Sequence, residues 1–191
     1  FLSGYYYFQL DFLLCMELNK KIKMTNLNRK DKVWQSKDVV SRFLSGVRAS
    51  IPLANEQLEV MLDILSADNN NISNFVDLGC GDGVLARVIL DKFPNAKGVC
   101  LDFSSEMLKE AKKNLCEFTN QIGFYCVDYS KREYLEPLLK NGPFDAIVSG
   151  FSIHHQADVR KKEIYKEMYA LLKPKGFFIN IEHVKSPTKW V

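Results

Sequence analysis

Apolar residues recur at two different periods along this chain, and the period changes near residue 72. Before that point the spacing is helical. Val39, Val40, Phe43, Leu44 and Val47 repeat at three and four, the pattern of one buried helix face. Pro52 breaks that helix or starts the next. Leu58, Met61, Leu62 and Leu65 then mark a second amphipathic helix, and residues 66–73 read as a polar loop. Beyond the loop, short apolar runs at 75–78, 98–101, 122–127, 144–148 and 177–181 predict five strands. Helical patterns fill the intervals at 84–93, 104–118, 131–139 and 158–172, the last stopped by Lys173, Pro174 and Gly176. Ser104 or Ser105 is the expected N-cap of the second of these.

Strands that alternate with helices imply βαβ units and a parallel sheet. With right-handed crossovers the expected fold is α/β: a doubly wound, three-layer, Rossmann-like architecture with a mainly parallel sheet and N-terminal helices. Three segments are expected. Residues 1–29 form an N-terminal extension, 30–71 a helical segment covering the ligand site, and 72–191 the core. Ligands of such sheets sit beyond the carboxyl ends of the strands, where strand order reverses.

Composition adds bounds. In 191 residues there are 26 basic and 23 acidic side chains, for a net charge of +3. That balance gives no electrostatic case for nucleic acid. The five cysteines, Cys15, Cys80, Cys100, Cys116 and Cys126, form no C-x-x-C pair. Cys80, Cys100 and Cys126 lie in or beside apolar runs and are expected as buried free thiols, which points to a reducing, cytoplasmic setting. The aromatic N-terminal segment is interrupted by Asp11 and is too short to span a bilayer.

The chemistry starts at residues 76–86, VDLGCGDGVLA. Gly79, Gly81 and Gly83 alternate between a strand and a helix. Glycine serves backbone shape there, or lets a ligand approach the main chain. Asp82 is placed to cap the following helix itself, which leaves that helix end less available to a phosphate. The G-x-G-x-G spacing also differs from the dinucleotide fingerprint G-x-G-x-x-G. About twenty residues on, the second strand ends at Asp102, where a carboxylate can accept from a ribose diol or simply cap a helix. Asp128 and Tyr129 end the third strand, placed to meet an adenine or to form another cap.

VDLGCGDG, GVCLDFSSEML, CVDYS, FDAIVSGFSIHH and LLKPKGFFINIEHV together resemble the ordered motifs of class I S-adenosylmethionine-dependent methyltransferases, over residues 75–184. The resemblance implies S-adenosylmethionine as cofactor and a role for each matching position. Asp77, Gly79, Cys80 and Gly81 would shape the methionine end, with Asp77 holding the loop. Asp102 would bind the ribose hydroxyls, Phe103 and Met107 would pack beside the adenosine, and Asp128 and Tyr129 would meet the adenine. Ser149 and Gly150 would border the sulfonium. The family normally continues past its fifth strand, so a core truncated there is the expectation. FSIHH and the helix after it are similar to small-molecule methyltransferases. Residues 48–52, R-x-S-I-P, are instead similar to a segment of enzymes that carboxymethylate tRNA wobble uridine.

The expected activity is therefore methyl transfer to a small-molecule acceptor. The alternatives are a tRNA-modifying methyl- or carboxymethyltransferase and a non-catalytic cofactor-binding fragment. A dinucleotide oxidoreductase is disfavoured by the glycine spacing. His154 and His155 follow the fourth strand at the mouth of the site. Either could accept a proton or simply pack against the next helix, so no catalytic residue is assigned. Of the two, His154 is expected to face the substrate. Glu182 and His183 after the fifth strand are further candidates for the pocket wall. No His/Cys cluster has metal spacing, and no metal is expected.

Overall fold

The computed structural model describes residues 30–42, 44, 53–67 and 71–182, all within one unit apart from Lys30. Residues 1–29, Phe43, Val47, the 48–52 segment and His183 lie outside the described residues. A 3-10 helix, Lys30–Gln35, leads into α1, Lys37–Arg42. Helix α2, Ala54–Ser66, buries Met61 and Leu65 on one face, as the apolar spacing predicts.

The core then alternates strictly. It runs β1 (Asn74–Leu78), α3 (Val84–Lys92), β2 (Lys97–Asp102), α4 (Ser105–Asn114), β3 (Ile122–Cys126), α5 (Leu135–Asn141), β4 (Phe144–Gly150), α6 (Asp158–Leu171) and β5 (Leu172–Ile181). All pairings are parallel, in the order β3-β2-β1-β4-β5. The Rossmann-like expectation holds. The first strand is central, and connections leave it in opposite directions. That reversal opens a crevice at the carboxyl ends of β1 and β4.

Side chains alternate across each strand, which builds two cores. Phe75 packs with Met61, Ile89 and Leu90 on one face. Val76 and Leu78 pack with Leu138, Ile147 and Ile164 on the other. Phe75 is fully buried, and its ring occupies the space a Cβ at Gly98 would need. Gly98 is thus required where β2 passes the ring. Truncating Phe75 to alanine would cost about 3–5 kcal/mol.

Three local expectations change. The helix predicted to reach residue 118 ends at Asn114 and continues as a separate 3-10 turn, Cys116–Phe118. The fifth strand starts at Leu172, not 177, because its first residues already pair with β4 through a register shift between Phe144 and Ala146. Cys126, expected to be buried, is exposed at the end of outer strand β3, whereas Cys80 and Cys100 are buried thiols.

Candidate active site

The glycine turn is a backbone device. Gly79, Gly81 and Gly83 have φ of 72°, 55° and 83°, a region that L side chains enter only with strain. The turn is fastened to the end of β2. Gly79 N and Cys80 N donate to Leu101 O at 2.8 and 2.9 Å, and Gly81 N donates to Asp102 Oδ2 at 2.9 Å. A side chain at Gly79 would overlap the Ser152 hydroxyl, whereas one at Gly81 would meet nothing within 4 Å. Gly81 therefore faces the open cleft.

The N-cap of α3 is Gly83, which has no side chain to cap it. Asp77, buried in β1, accepts from Ala86 N through Oδ2 at 3.1 Å. The acceptor for the first helical turn comes from beneath the turn because Asp77 lies directly under it. A phosphate at this helix end would meet that carboxylate.

Asp102 is buried at the cleft wall. Its Oδ1 accepts from Ser104 N at 2.8 Å, and burial pushes its carboxyl up to about 6. Three backbone N–H groups, of Ser104, Gly81 and Phe103, act on it, and an ionised carboxylate, which can take about four hydrogen bonds, keeps acceptor capacity over. Ser104 caps α4 by accepting from Met107 N. Its hydroxyl donates to Trp34 O at 2.6 Å, which fastens the N-terminal 3-10 helix beside the site. Phe103 and Met107 follow on the same wall.

Tyr129 is buried against the floor, with its hydroxyl 2.6 Å from Ser152 Oγ. Its carbonyl accepts from Arg160 Nε at 2.9 Å. Asp128 and Ser149 are not on the cleft wall. Asp128 Oδ1 accepts from Ser130 N at 2.9 Å and forms a local turn. Ser149 is 0% exposed, and its hydroxyl donates to Leu78 O at 2.8 Å, joining β4 to β1. Gly150, Phe151 and Ser152 form the wall there instead. Phe151 has φ of 50° and is held by its N–H on Ile181 O at 2.8 Å. Backbone strain of this kind is characteristic of binding sites.

The cleft enclosed by these residues has a volume of about 610 Å3. It brings together Asp77, Gly79, Cys80, Gly81, Asp102, Phe103, Met107 and Tyr129 from the sequence reading. It adds Trp34, Leu58, Leu85, Phe151, Ser152 and Ile181, which that reading missed. Among the described residues, four lining side chains are carboxylates, Glu56, Asp77, Asp82 and Asp102, and none is lysine or arginine. The Cys80 thiol is pushed well up by its hydrogen bond with Cys100 and by burial, so it is no thiolate nucleophile. Among the described residues no group of side chains could hold a metal ion.

His154 and His155 stand at the rim, with ring centroids 3.9 Å apart. His154 Nδ1 lies 2.7 Å from Glu182 Oε2. Glu182 Oε1 accepts from Ser152 N and His154 N at 3.0 and 3.1 Å.

Residues 75–176 match the methyltransferase domain family. The chain belongs to the class I S-adenosylmethionine-dependent methyltransferases. Among its relatives is a malonyl-[acyl-carrier protein] O-methyltransferase of Ilyobacter polytropus, 28% identical over 75% of this chain and 52% of the relative. Another is a carboxy-S-adenosyl-L-methionine synthase of Nautilia profundicola, 26% identical over 80% of this chain and 62% of the relative. This methyltransferase chain thus spans about half to three-fifths of those proteins. The fold also matches the crystal structure of an S-adenosylmethionine-dependent methyltransferase from Clostridium acetobutylicum. That match has a TM-score of 0.60 and 23% identity, over 75% of this chain and 55% of the other. The family's cofactor is S-adenosylmethionine, and the open face at Gly81 beside the Asp102 carboxylate suits an adenosine ligand with a ribose diol. Among the described residues no helix is long and apolar enough to cross a membrane.

Proposed function

We propose that this chain transfers the methyl group of S-adenosylmethionine to a small-molecule acceptor, in the cytoplasm. The observation that carries the reading is the charge of the cleft, whose lining among the described residues has four carboxylates and neither lysine nor arginine. A sulfonium and an amino group are cations and are favoured there. A pyrophosphate is disfavoured, and so are the phosphates of a tRNA, whose binding depends on Lys and Arg.

The roles follow from chemistry. Asp102 accepts the ribose hydroxyls, Phe103 and Met107 cover the adenosine, and Tyr129 supports the base. Gly79, Cys80 and Gly81 let the methionine end approach the main chain, on a turn that Asp77 holds. The bound sulfonium supplies an activated methyl group. What the protein adds is alignment of acceptor, methyl carbon and sulfur, an effect worth several kcal/mol.

Calorimetric titration with S-adenosylhomocysteine, with NAD as the control, tests this. Binding of the first alone is expected. Binding of NAD, or of neither by the folded chain, would sink the reading.

A further inference from the structure

The sequence leaves His154 with two readings, a proton acceptor or a packing residue. The surroundings of Glu182 separate them. Glu182 follows β5, and its side chain is only 8% exposed. It is held from three sides, by the N–H groups of Ser152 and His154 on Oε1 and by His154 Nδ1 on Oε2. A carboxylate only accepts, so Nδ1 carries the proton, and the neutral form of such a ring has its lone pair on Nε2. Among the described residues no hydrogen bond is made to Nε2. The ring lines the cleft and is 37% exposed, with the His155 ring tilted against it at 3.9 Å and Trp34 beyond His155 at 6.5 Å. A histidine whose tautomer is set by a buried carboxylate, with its other nitrogen open to a binding cleft, is the arrangement of a general base. A residue that merely ends a helix needs none of these constraints.

The need for a base also sorts acceptors. A carboxylate acceptor is already ionised and has no proton to lose. It would also enter a cleft that holds four carboxylates. A phenol or enol enters neutral, suits a wall of Trp34, Phe151 and Ile181, and must lose its proton to become a good nucleophile.

We propose that His154 is the catalytic base, that Glu182 is its positioning residue, and that the acceptor is a phenolic or enolic hydroxyl. This rests on the methyltransferase reading above. In the step, the acceptor O–H proton passes to Nε2 and the oxygen bonds to the methyl carbon of the sulfonium. The carbon–sulfur bond breaks with its electron pair going to sulfur, which leaves S-adenosylhomocysteine. The imidazolium, paired with Glu182, returns its proton to water.

The test uses the full chain saturated with S-adenosylhomocysteine and 4-nitrophenol as the probe, at a pH where the free phenol is neutral. Proton transfer to His154 appears as the yellow phenolate band of bound probe. The band is expected in the native chain and is expected to vanish in His154→Ala. In Glu182→Gln it should weaken about tenfold, the worth of one hydrogen bond to a charged group. The affinity for S-adenosylhomocysteine should stay within about twofold in both variants, which shows that they are folded and which a structural tether would not allow. With S-adenosylhomocysteine bound, absence of the band in the native chain, or a full band in His154→Ala, overturns the proposal. Failure of the folded native chain to bind S-adenosylhomocysteine overturns the methyltransferase reading, and the proposal falls with it.

Discussion

Asp77 Oδ2 accepts from Ala86 N at 3.1 Å, so a strand residue supplies the acceptor for the helix on the far side of the glycine turn. The bond spans nine residues and is fully buried. It fixes the turn between two rigid elements. Asp77→Ala would leave a buried N–H without its partner, and unfolding in urea should show a loss of about 1–3 kcal/mol. Asp77→Asn keeps an acceptor oxygen and should lose less. If the two variants are equally stable, Asp77 is not the cap.

Gly79 and Gly81 share a left-handed backbone but face different neighbours, which predicts different failures. Gly79→Ala would drive a methyl into the Ser152 side chain and should destabilise the fold. The double variant Gly79→Ala/Ser152→Gly should recover part of that loss. At Gly81 the methyl meets no atom within 4 Å. Gly81→Ala should fold with a cost of about 1 kcal/mol from strain and should weaken S-adenosylhomocysteine binding, because the methyl occupies the cleft. Thermal melts and calorimetry on the same samples separate the two effects.

Some of this was readable from the chain and some was not, for physical reasons. The glycine turn, Asp77 and Asp102 are legible because each is tied to a strand end, which the hydrophobic pattern locates. Ser149 and Ser152 are harder. Strand β4 is buried on both faces, so its pattern does not alternate, and nothing in the sequence says which serine faces the cleft. The structure sends Ser149 to Leu78 O and Ser152 to the Tyr129 hydroxyl. Asp128 could equally be a ligand or a turn former, and the structure shows its bond to the local Ser130 N–H and does not place it on the cleft wall. Trp34 joins the wall through its carbonyl on Ser104 and its ring beside His155, tertiary contacts with no local signal. The pairing of His154 with Glu182 joins two loops 28 residues apart. The sequence flags both residues but cannot bring them together.

Arg160 couples helix α6 to the cleft floor. Its fork holds both oxygens of Glu167 at 2.9 Å, and its Nε donates to Tyr129 O. Tyr134 donates to the same Glu167. Removing Arg160 leaves the Glu167 carboxylate with only the more distant Arg132 Nε, at 3.9 Å, as a cationic partner, so Arg160→Ala should cost about 3 kcal/mol. Arg160→Lys should not rescue it, since an ammonium cannot match the planar fork. A lysine variant with native stability would show that the network is only a surface feature.

The last prediction concerns pH and Asp102. Burial pushes this carboxyl up to about 6, although the N–H groups of Ser104, Gly81 and Phe103 pull against it. The native state therefore holds a proton at pH values where the unfolded chain has released it. From the ordinary carboxylate range up to about 6 the native state binds more protons, so this group makes stability fall as pH rises through that window. Ligand binding should run the other way. Ribose hydroxyls need the ionised carboxylate as acceptor, so the affinity for S-adenosylhomocysteine should be constant above about pH 6. Below that it should weaken, by up to about tenfold for each pH step of one. In Asp102→Asn the affinity should be lower and its bend near pH 6 should vanish, because the group that titrates is gone. Calorimetric titrations across pH 5 to 8 on both proteins read this directly, and an unchanged bend in Asp102→Asn would assign the titration to another residue.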